Sequence, residues 1–203
     1  MENGHIFKFG TLANAISSED WMTTPLEALC SEQVWVAIVT DDAETYFEDI
    51  NAIVTKMKKP RTCFVIDLHP CASYKRLQEQ WDNYIMTDKD SVEVLLCFIH
   101  HHLVNQSIIC FDLQDFRYCS VPYPLVKAVS ADIGKNAPVD PNAQAICYGL
   151  CFEHDSELGT SYMDAFAKTY NEISEDSDSY VPWSIHNSAD NVIEAIFFYE
   201  PIN

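Results

Sequence analysis

Three observations in the sequence predict an α/β fold, a single-domain sandwich with a mainly parallel central sheet and helices on both faces. Short, continuously apolar segments of strand length alternate with amphipathic segments of helical spacing along the 203 residues. The apolar segments are rich in branched side chains, which is typical of strands that are covered on both faces. This alternation favours helices packed on both sides of one sheet, although the last two strands could run antiparallel.

The first elements are short. Residues 5–9 are compatible with a strand and residues 11–17 with a helix. Thr24-Pro25-Leu26-Glu27 has the hydroxyl cap, the first-turn proline and the glutamate of a capping box, which predicts a helix to about residue 32. Residues 34–40 are continuously apolar and branched, so we expect a strand that is buried on both faces.

The most strongly marked helix is predicted over residues 42–58. Apolar residues recur three and four positions apart, and Phe47 and Ile50 are expected on the buried face. Acidic residues lie at its start and lysines at its end before Pro60, the polarity that favours the helix dipole. A second buried strand over 62–67 should follow.

The same two periodicities predict the remaining elements. These are helices over 73–86, 91–104, 124–133 and 160–173, and strands over 107–112, 145–152 and 192–199, with a strand within 92–99 as the competing assignment for that region. Strands 34–40, 62–67 and 107–112 should be neighbours in the sheet. Their expected buried side chains are Val36, Ile38, Phe64, Ile66, Ile109 and Phe111.

The charge of the chain is concentrated at its two ends. The formal net charge is −19, and residues 1–50 carry ten acidic and one basic residue while residues 151–203 carry eleven and one. Residues 51–150 hold ten of each sign and contribute nothing to the excess. No linker in the chain is long enough to divide two domains, so we expect one acidic domain over residues 1–203. A field of this sign attracts basic proteins and repels nucleic acid and anionic membranes.

The cysteines and apolar runs predict a cytoplasmic protein. The eight cysteines mostly lie inside apolar runs, where a free thiol behaves as a small buried hydrophobe. No basic region leads into an apolar signal core, and the longest apolar runs fall far short of a membrane span. We therefore expect reduced, unmetallated thiols, no membrane association and no cofactor.

Acidic side chains follow the predicted strands. Asp41, Asp67 and Asp112 lie at or just after strand ends, and Glu153 follows the strand over 145–152. In a parallel sheet such groups converge on one edge, where carboxylates could hold Mg²⁺ or Mn²⁺. Aspartate is also a favoured turn and cap residue at such junctions, and this interpretation is the stronger one because no phosphate loop or basic clamp accompanies the acids.

Two further patterns suggest a transition metal. Cys97 precedes three consecutive histidines, residues 100–102. Consecutive side chains on an α-helix point about 100° apart, so these three cannot all reach one ion. Cys147 and Cys151 share a face of a predicted strand, where core packing is the favoured interpretation. Neither pattern predicts a metal site by itself.

The function predicted from these features is binding rather than catalysis. The expected protein neutralises or sequesters a basic partner, such as a nuclease toxin or a nucleic-acid-binding protein, in the manner of an immunity protein or a nucleic-acid-mimic inhibitor. The alternative is a metal-dependent hydrolase or nuclease that uses the strand-end carboxylates. No motif resembles a known family. The predicted partner-binding residues are Glu172, Glu175, Asp176, Asp178, Tyr180 and Trp183.

Overall fold

The structure is a computed structural model. It describes residues 4–23, 29, 35–57, 62–105, 111–133, 136–153 and 181–201, together with 161, 163–164, 166–168 and 170. The predicted capping-box helix, at residues 24–32, lies outside them except for Leu29, which is buried.

Nine strands and five α-helices are bounded within the described residues. The strands are β1 Gly4–Phe9, β2 Met22–Thr23, β3 Trp35–Thr40, β4 Cys63–Asp67, β5 Tyr84–Met86, β6 Leu125–Asp132, β7 Ala145–Phe152, β8 Trp183–Asn187 and β9 Val192–Tyr199. The helices are α1 Thr11–Ala15, α2 Phe47–Lys56, α3 Tyr74–Gln80, α4 Val92–Ile99 and α5 Leu113–Ser120, and a π-helix over His100–Val104 continues α4. The described positions in 161–170 are also helical.

All nine strands form one sheet in the order β2-β1-β3-β4-β5-β6-β9-β7-β8. The strands from β2 to β6 are parallel to one another, and β7 is parallel to β8. Strand β9 runs antiparallel to both of its neighbours, β6 and β7. The predicted fold class is therefore confirmed, including the antiparallel pairing near the C-terminus.

Helices cover both faces of this sheet. Helices α1, α4 and α5 pack against one face, where Phe64, Phe98 and Phe116 form the centre of the largest core cluster. Helices α2 and α3 cover the opposite face of β3 and β4. On that same side, further along the sheet, the helical segment within 161–170 covers β7, β8 and β9, with Phe166 buried against them. No described helix is long and apolar enough to cross a bilayer.

The sequence predicted the first half of the sheet well. Strands β3 and β4 are parallel neighbours, and their four predicted core residues Val36, Ile38, Phe64 and Ile66 are fully buried. Helix α2 buries Ile50, as its spacing predicted, while Phe47 is half-buried. Residues 92–104 are helical, so the competing assignment of a strand there is wrong.

Two predicted elements were wrong, and a third lies mostly outside the described residues. Residues 125–132 form the strand β6 rather than a helix, because Val126 and Ala128 point into the core in strand alternation and pair with β9. The helix predicted over 73–86 ends at Gln80, and Tyr84–Met86 form the strand β5. The strand predicted over 107–112 includes positions outside the described residues, but Phe111 and Asp112 precede helix α5 and are not in a strand.

The buried face of α2 allows a stability prediction. We expect Ile50→Ala to lower the free energy of unfolding by about 2–5 kcal/mol, because Ile50 is fully buried and the substitution leaves a cavity. Chemical denaturation measures this change. The control is Thr55→Ala, at an exposed position of the same helix, which should change stability by less than about 0.5 kcal/mol. Equal losses in the two variants would contradict the buried face.

Candidate metal centre

The π-helix carries the histidine tract onto the face of the C-terminal strands. Its wider turn is marked by a hydrogen bond from the backbone N–H of Asn105 to the carbonyl of His100, five residues earlier. The π-helix packs against β8, and α4 packs against β6 and β9. His102 is thereby placed directly over the sheet, with its side chain fully buried.

Three neighbouring strands present polar groups to the histidines. Glu194 of β9 lies opposite Gly149 of β7, which in turn lies opposite Ser184 of β8. Two residues further along, Cys151 lies opposite His186 on the same face of the sheet. Strand register therefore brings a carboxylate, a hydroxyl, a thiol and an imidazole together beneath the π-helix.

Gly149 provides the space that His102 occupies. A Cβ atom added at Gly149 would lie 2.1 Å from Nε2 of His102, far closer than two atoms can approach. The absence of a side chain at this one position of β7 lets the ring lie against the strand. Nε2 thus reaches Glu194 on the neighbouring strand β9 and Cys151 on β7 itself.

Four side chains converge on one point in this pocket. One carboxylate oxygen of Glu194 lies 3.1 Å from Nε2 of His102, and the other lies 3.5 Å from Nδ1 of His101. The Sγ atom of Cys151 lies 3.7 Å from each of these two ring nitrogens. With one ligand atom from each residue, all four atoms lie within 4.8 Å of one another.

These separations match the edges of a metal tetrahedron. Zinc bonds of about 2.0–2.3 Å at tetrahedral angles place neighbouring ligand atoms about 3.3–3.7 Å apart. The four contacts among these groups are 3.1–3.7 Å long, at or near this range, and two of them involve different oxygens of Glu194. An ion at the centre would replace the direct contacts of Glu194 and Cys151 with the two histidines. Because these contacts are already close to the ligand separations around zinc, the strands would not need to rearrange.

Surrounding groups orient the two histidines. Ser184 Oγ lies 2.6 Å from Nδ1 of His102, so when Nδ1 donates to this hydroxyl, Nε2 presents its lone pair towards Glu194 and Cys151. The ring of His186 stacks on that of His101 at 4.9 Å between centroids and 6° between planes. Burial and the charges of the neighbouring histidines lower the pKa of His186 to about 4, so it stacks as a neutral ring.

The electrostatics show how the group is balanced without a metal. Burial by itself would lower the pKa of His101, but hydrogen bonding to and the charge of Glu194 raise it above its ordinary value. Burial would likewise raise the pKa of Glu194, yet the two histidines lower it. Burial lowers the pKa of His102 and raises that of Cys151. A proton on His101 therefore compensates the buried carboxylate.

A zinc ion would balance the same charges. Cys151 as thiolate and Glu194 as carboxylate supply two negative charges, and two neutral imidazoles complete the set, so a dication leaves the centre neutral. A thiolate with imidazoles selects zinc or copper rather than magnesium or calcium, which prefer oxygen ligands. Three of the four side chains are almost fully buried, as in a closed site with no open position.

The strand-end carboxylates do not form the other predicted metal site. Asp41 accepts hydrogen bonds from the backbone N–H groups of Leu12 and Ala13 at the start of α1, and Asp112 caps α5. Asp67 is buried, which raises its pKa, and it accepts a hydrogen bond of 2.7 Å from the hydroxyl of Tyr84. Asp41, Asp67, Asp112 and Glu153 are absent from the clusters of metal-ligating atoms found among the described residues. The metal-dependent hydrolase therefore stays an untested alternative without support in that part of the chain.

The predicted partner-binding patch lies mostly outside the described residues. Its members at 172, 175, 176, 178 and 180 are not among them. Trp183 is described at the start of β8, where it is half-buried and its ring packs 5.5 Å from Phe166. Association with a basic partner therefore stays a prediction.

No family model and no curated protein matches the chain. Among solved structures, CetZ from Methanosaeta thermophila has 11% sequence identity and a TM-score of 0.41, and covers 84% of this chain and 54% of its own. GDP-form protofilaments of TubZ from Bacillus thuringiensis serovar israelensis have 10% identity and a TM-score of 0.38, covering 97% and 59%. A GTPγS-bound protofilament of CetZ2 from Haloferax volcanii has 10% identity and a TM-score of 0.31, covering 88% and 59%.

These structures correct the functional prediction made from charge. The chain spans less than three-fifths of the length of the CetZ and TubZ proteins it resembles, and none of these is an immunity protein or a nucleic-acid-mimic inhibitor. The prediction of such an inhibitor is therefore wrong. Its physical weakness was that net charge describes a long-range field and not a fold or a site.

Proposed function

We propose that this protein binds one zinc ion through His101, His102, Cys151 and Glu194. The observation that carries the proposal is the convergence of four ligand groups, whose ligand atoms lie within 4.8 Å of one another and whose closest contacts of 3.1–3.7 Å are near the edge lengths of a zinc tetrahedron. Ser184 orients His102, and Gly149 leaves the space for its ring. Both are features that such a centre requires of the residues around its ligands.

The role of this zinc ion is to hold elements that are distant in sequence. Two ligands belong to the π-helix after α4, one to β7 and one to β9. The ion therefore joins three elements whose ligands extend from residue 101 to residue 194. Four protein ligands leave no vacant position for a substrate. We therefore assign the centre a structural role that fixes the helix on the C-terminal strands.

Elemental analysis and thermal unfolding test this proposal. Protein purified without added metal should contain one zinc ion per chain. Because zinc binds the folded state, free zinc at a thousand times the Kd stabilises by about 4 kcal/mol, which corresponds to about 10 °C in Tm for a chain of this size. Removing zinc with a chelator should reverse the gain, and adding it back should restore it.

The experiment gives a different result if the four side chains are held together by hydrogen bonds and an ion pair, without a metal. In that case His101 and Glu194 form an ion pair, the purified protein holds no zinc, and added zinc leaves the Tm unchanged. Either the missing zinc or the unchanged Tm on titration with zinc would refute the zinc centre.

The described cysteines favour a reducing compartment, and we include a cytoplasmic location in the proposal. None of the six forms a disulfide, and Cys119 and Cys147 remain unbonded although their Sγ atoms lie 3.7 Å apart in the core. Such a pair survives most readily where thiols are kept reduced.

A further inference from the structure

The ring of His101 lies between two groups of possible ligands. Its Nδ1 atom faces Glu194 at 3.5 Å and Cys151 at 3.7 Å, inside the proposed zinc centre. Its Nε2 atom lies on the outer side, 3.9 Å from a carboxylate oxygen of Asp20. Both nitrogens of one imidazole are therefore directed at groups that bind cations.

His100 joins the outer group. Asp20, His100 and His101 each offer one ligand atom, and these atoms lie within 4.8 Å of one another. The ring of His100 packs on Trp21 at 5.5 Å between centroids, and a Cβ atom at Gly4 would lie 3.3 Å from its Cδ2. The position of His100 is thus defined by packing.

The other side of the His100 ring faces an amide. Nδ1 of His100 lies 3.3 Å from the side-chain amide of Asn105. In the structure the amide Nδ2 of Asn105 donates to Nδ1 of the neutral ring, which leaves the ring proton on Nε2. When the amide is rotated so that its oxygen faces the ring, Nδ1 donates to it and Nε2 presents its lone pair. Metal binding through Nε2 of His100 therefore requires this second orientation of the amide.

We infer that Asp20, His100 and His101 form a second cation site, and that the imidazole of His101 bridges it to the zinc centre. The inference rests on the proposed function, since His101 belongs to both sites. The outer site takes a second divalent transition-metal ion, zinc or copper(II), as two imidazoles and a carboxylate favour. The Asp20 side chain is 49% exposed, so water completes the coordination of this ion.

The charges of the outer site balance when the ring is shared. Binding of the second ion displaces the proton on Nε2 of His101, which passes to solvent on the exposed side of Asp20. The imidazolate and the Asp20 carboxylate then supply two negative charges to a dication. The zinc centre keeps the two negative charges of Cys151 and Glu194.

Titration of the metal-free protein with Co²⁺ distinguishes the two sites. A thiolate ligand adds an intense near-ultraviolet charge-transfer band, which only the inner site can produce. We expect the protein to bind two equivalents of Co²⁺ per chain. The equivalent at the inner site produces the thiolate band, and the equivalent at the outer site adds only visible absorption. Asp20→Asn and His100→Gln should each remove the second equivalent and leave the thiolate band intact.

The exposed neighbour Glu19 provides the matched control, because Glu19→Gln removes a similar charge beside the site and should leave both equivalents. Saturation at one equivalent with a full thiolate band would overturn the second site and leave the zinc centre standing. The second site would also be overturned if Asp20→Asn still bound both equivalents and bound one of them more weakly. Asp20 would then only position His101 and would not be a ligand. A missing thiolate band would instead refute the zinc centre, and the bridge with it.

Discussion

Replacing Cys151 with alanine is expected to lower the affinity for zinc by more than about 100-fold. The thiolate is one of four ligands, and losing even a group that only orients a ligand costs about 10–100-fold in affinity. The substitution also leaves a dication beside a single negative charge in a buried centre. Competition with a chromophoric chelator at constant pH measures the change.

The same strand supplies the control for this experiment. Cys147 is a buried thiol four residues earlier on the same face of β7, and its Sγ atom contacts Cys119 rather than the histidines. Cys147→Ala therefore creates a comparable cavity without removing a ligand, and we expect it to keep the native zinc affinity. Equal affinities in the two alanine variants would exclude Cys151 as a ligand.

The strands of the first half could be predicted because their signal is local. Residues 35–39 and 63–66 are continuously apolar in strands covered on both faces, and nothing else in the sequence competes with that pattern. Helix α2 has an equally local signal, since its apolar residues follow the helical period. The parallel pairing of β3 with β4 required only the rule that alternating elements build a parallel sheet, whereas the rest of the strand order was not predicted.

The mistaken elements show where local signals conflict. Leu125, Val126 and Val129 are spaced as on a helix, but they are also branched or large residues suited to a strand. Pairing with β9 along its whole length decides for the strand, and this partner lies more than sixty residues away. Strand β5 has only three residues, too few for a periodicity to show.

The metal centre could be anticipated only in part. The three consecutive histidines do not meet at one ion, since only His101 and His102 face the inner site while His100 faces Trp21. Those two converge because one uses the near nitrogen of its ring, Nδ1, and the other the far nitrogen, Nε2. Neither the π-helix nor the choice of nitrogen is visible in a sequence pattern.

The remaining ligands depend on the register of strands. Cys151 was assigned to the core, and nothing in its own strand reveals that histidines lie above it. Glu194 offered a signal, because it is a single acid within the apolar run of β9 and a buried carboxylate requires a partner. That signal identifies an unusual residue but not the strand or helix that faces it.

Gly149 provides the second large effect, on stability and zinc together. Gly149→Ala places a methyl group 2.1 Å from Nε2 of His102, a ring that is fully buried and has no room to move. We expect a loss of about 1–3 kcal/mol in the free energy of unfolding, as in other overpacked cores, and loss of zinc binding. Denaturation of the metal-free protein separates the steric effect from the loss of zinc.

A double-mutant cycle with His102→Ala identifies the cause. The backbone of Gly149 has no positive φ that would oppose a side chain, so without the His102 ring the added methyl should fit and should stabilise the strand by about 0.5–1 kcal/mol. Gly149→Ala is therefore expected to destabilise the native protein and to stabilise the His102→Ala variant. A parallel cycle with the distant Thr55→Ala should show additivity within about 0.5 kcal/mol. If Gly149→Ala is equally harmful in all three backgrounds, the glycine serves the strand itself, and the ring of His102 does not occupy the place from which it would bind zinc.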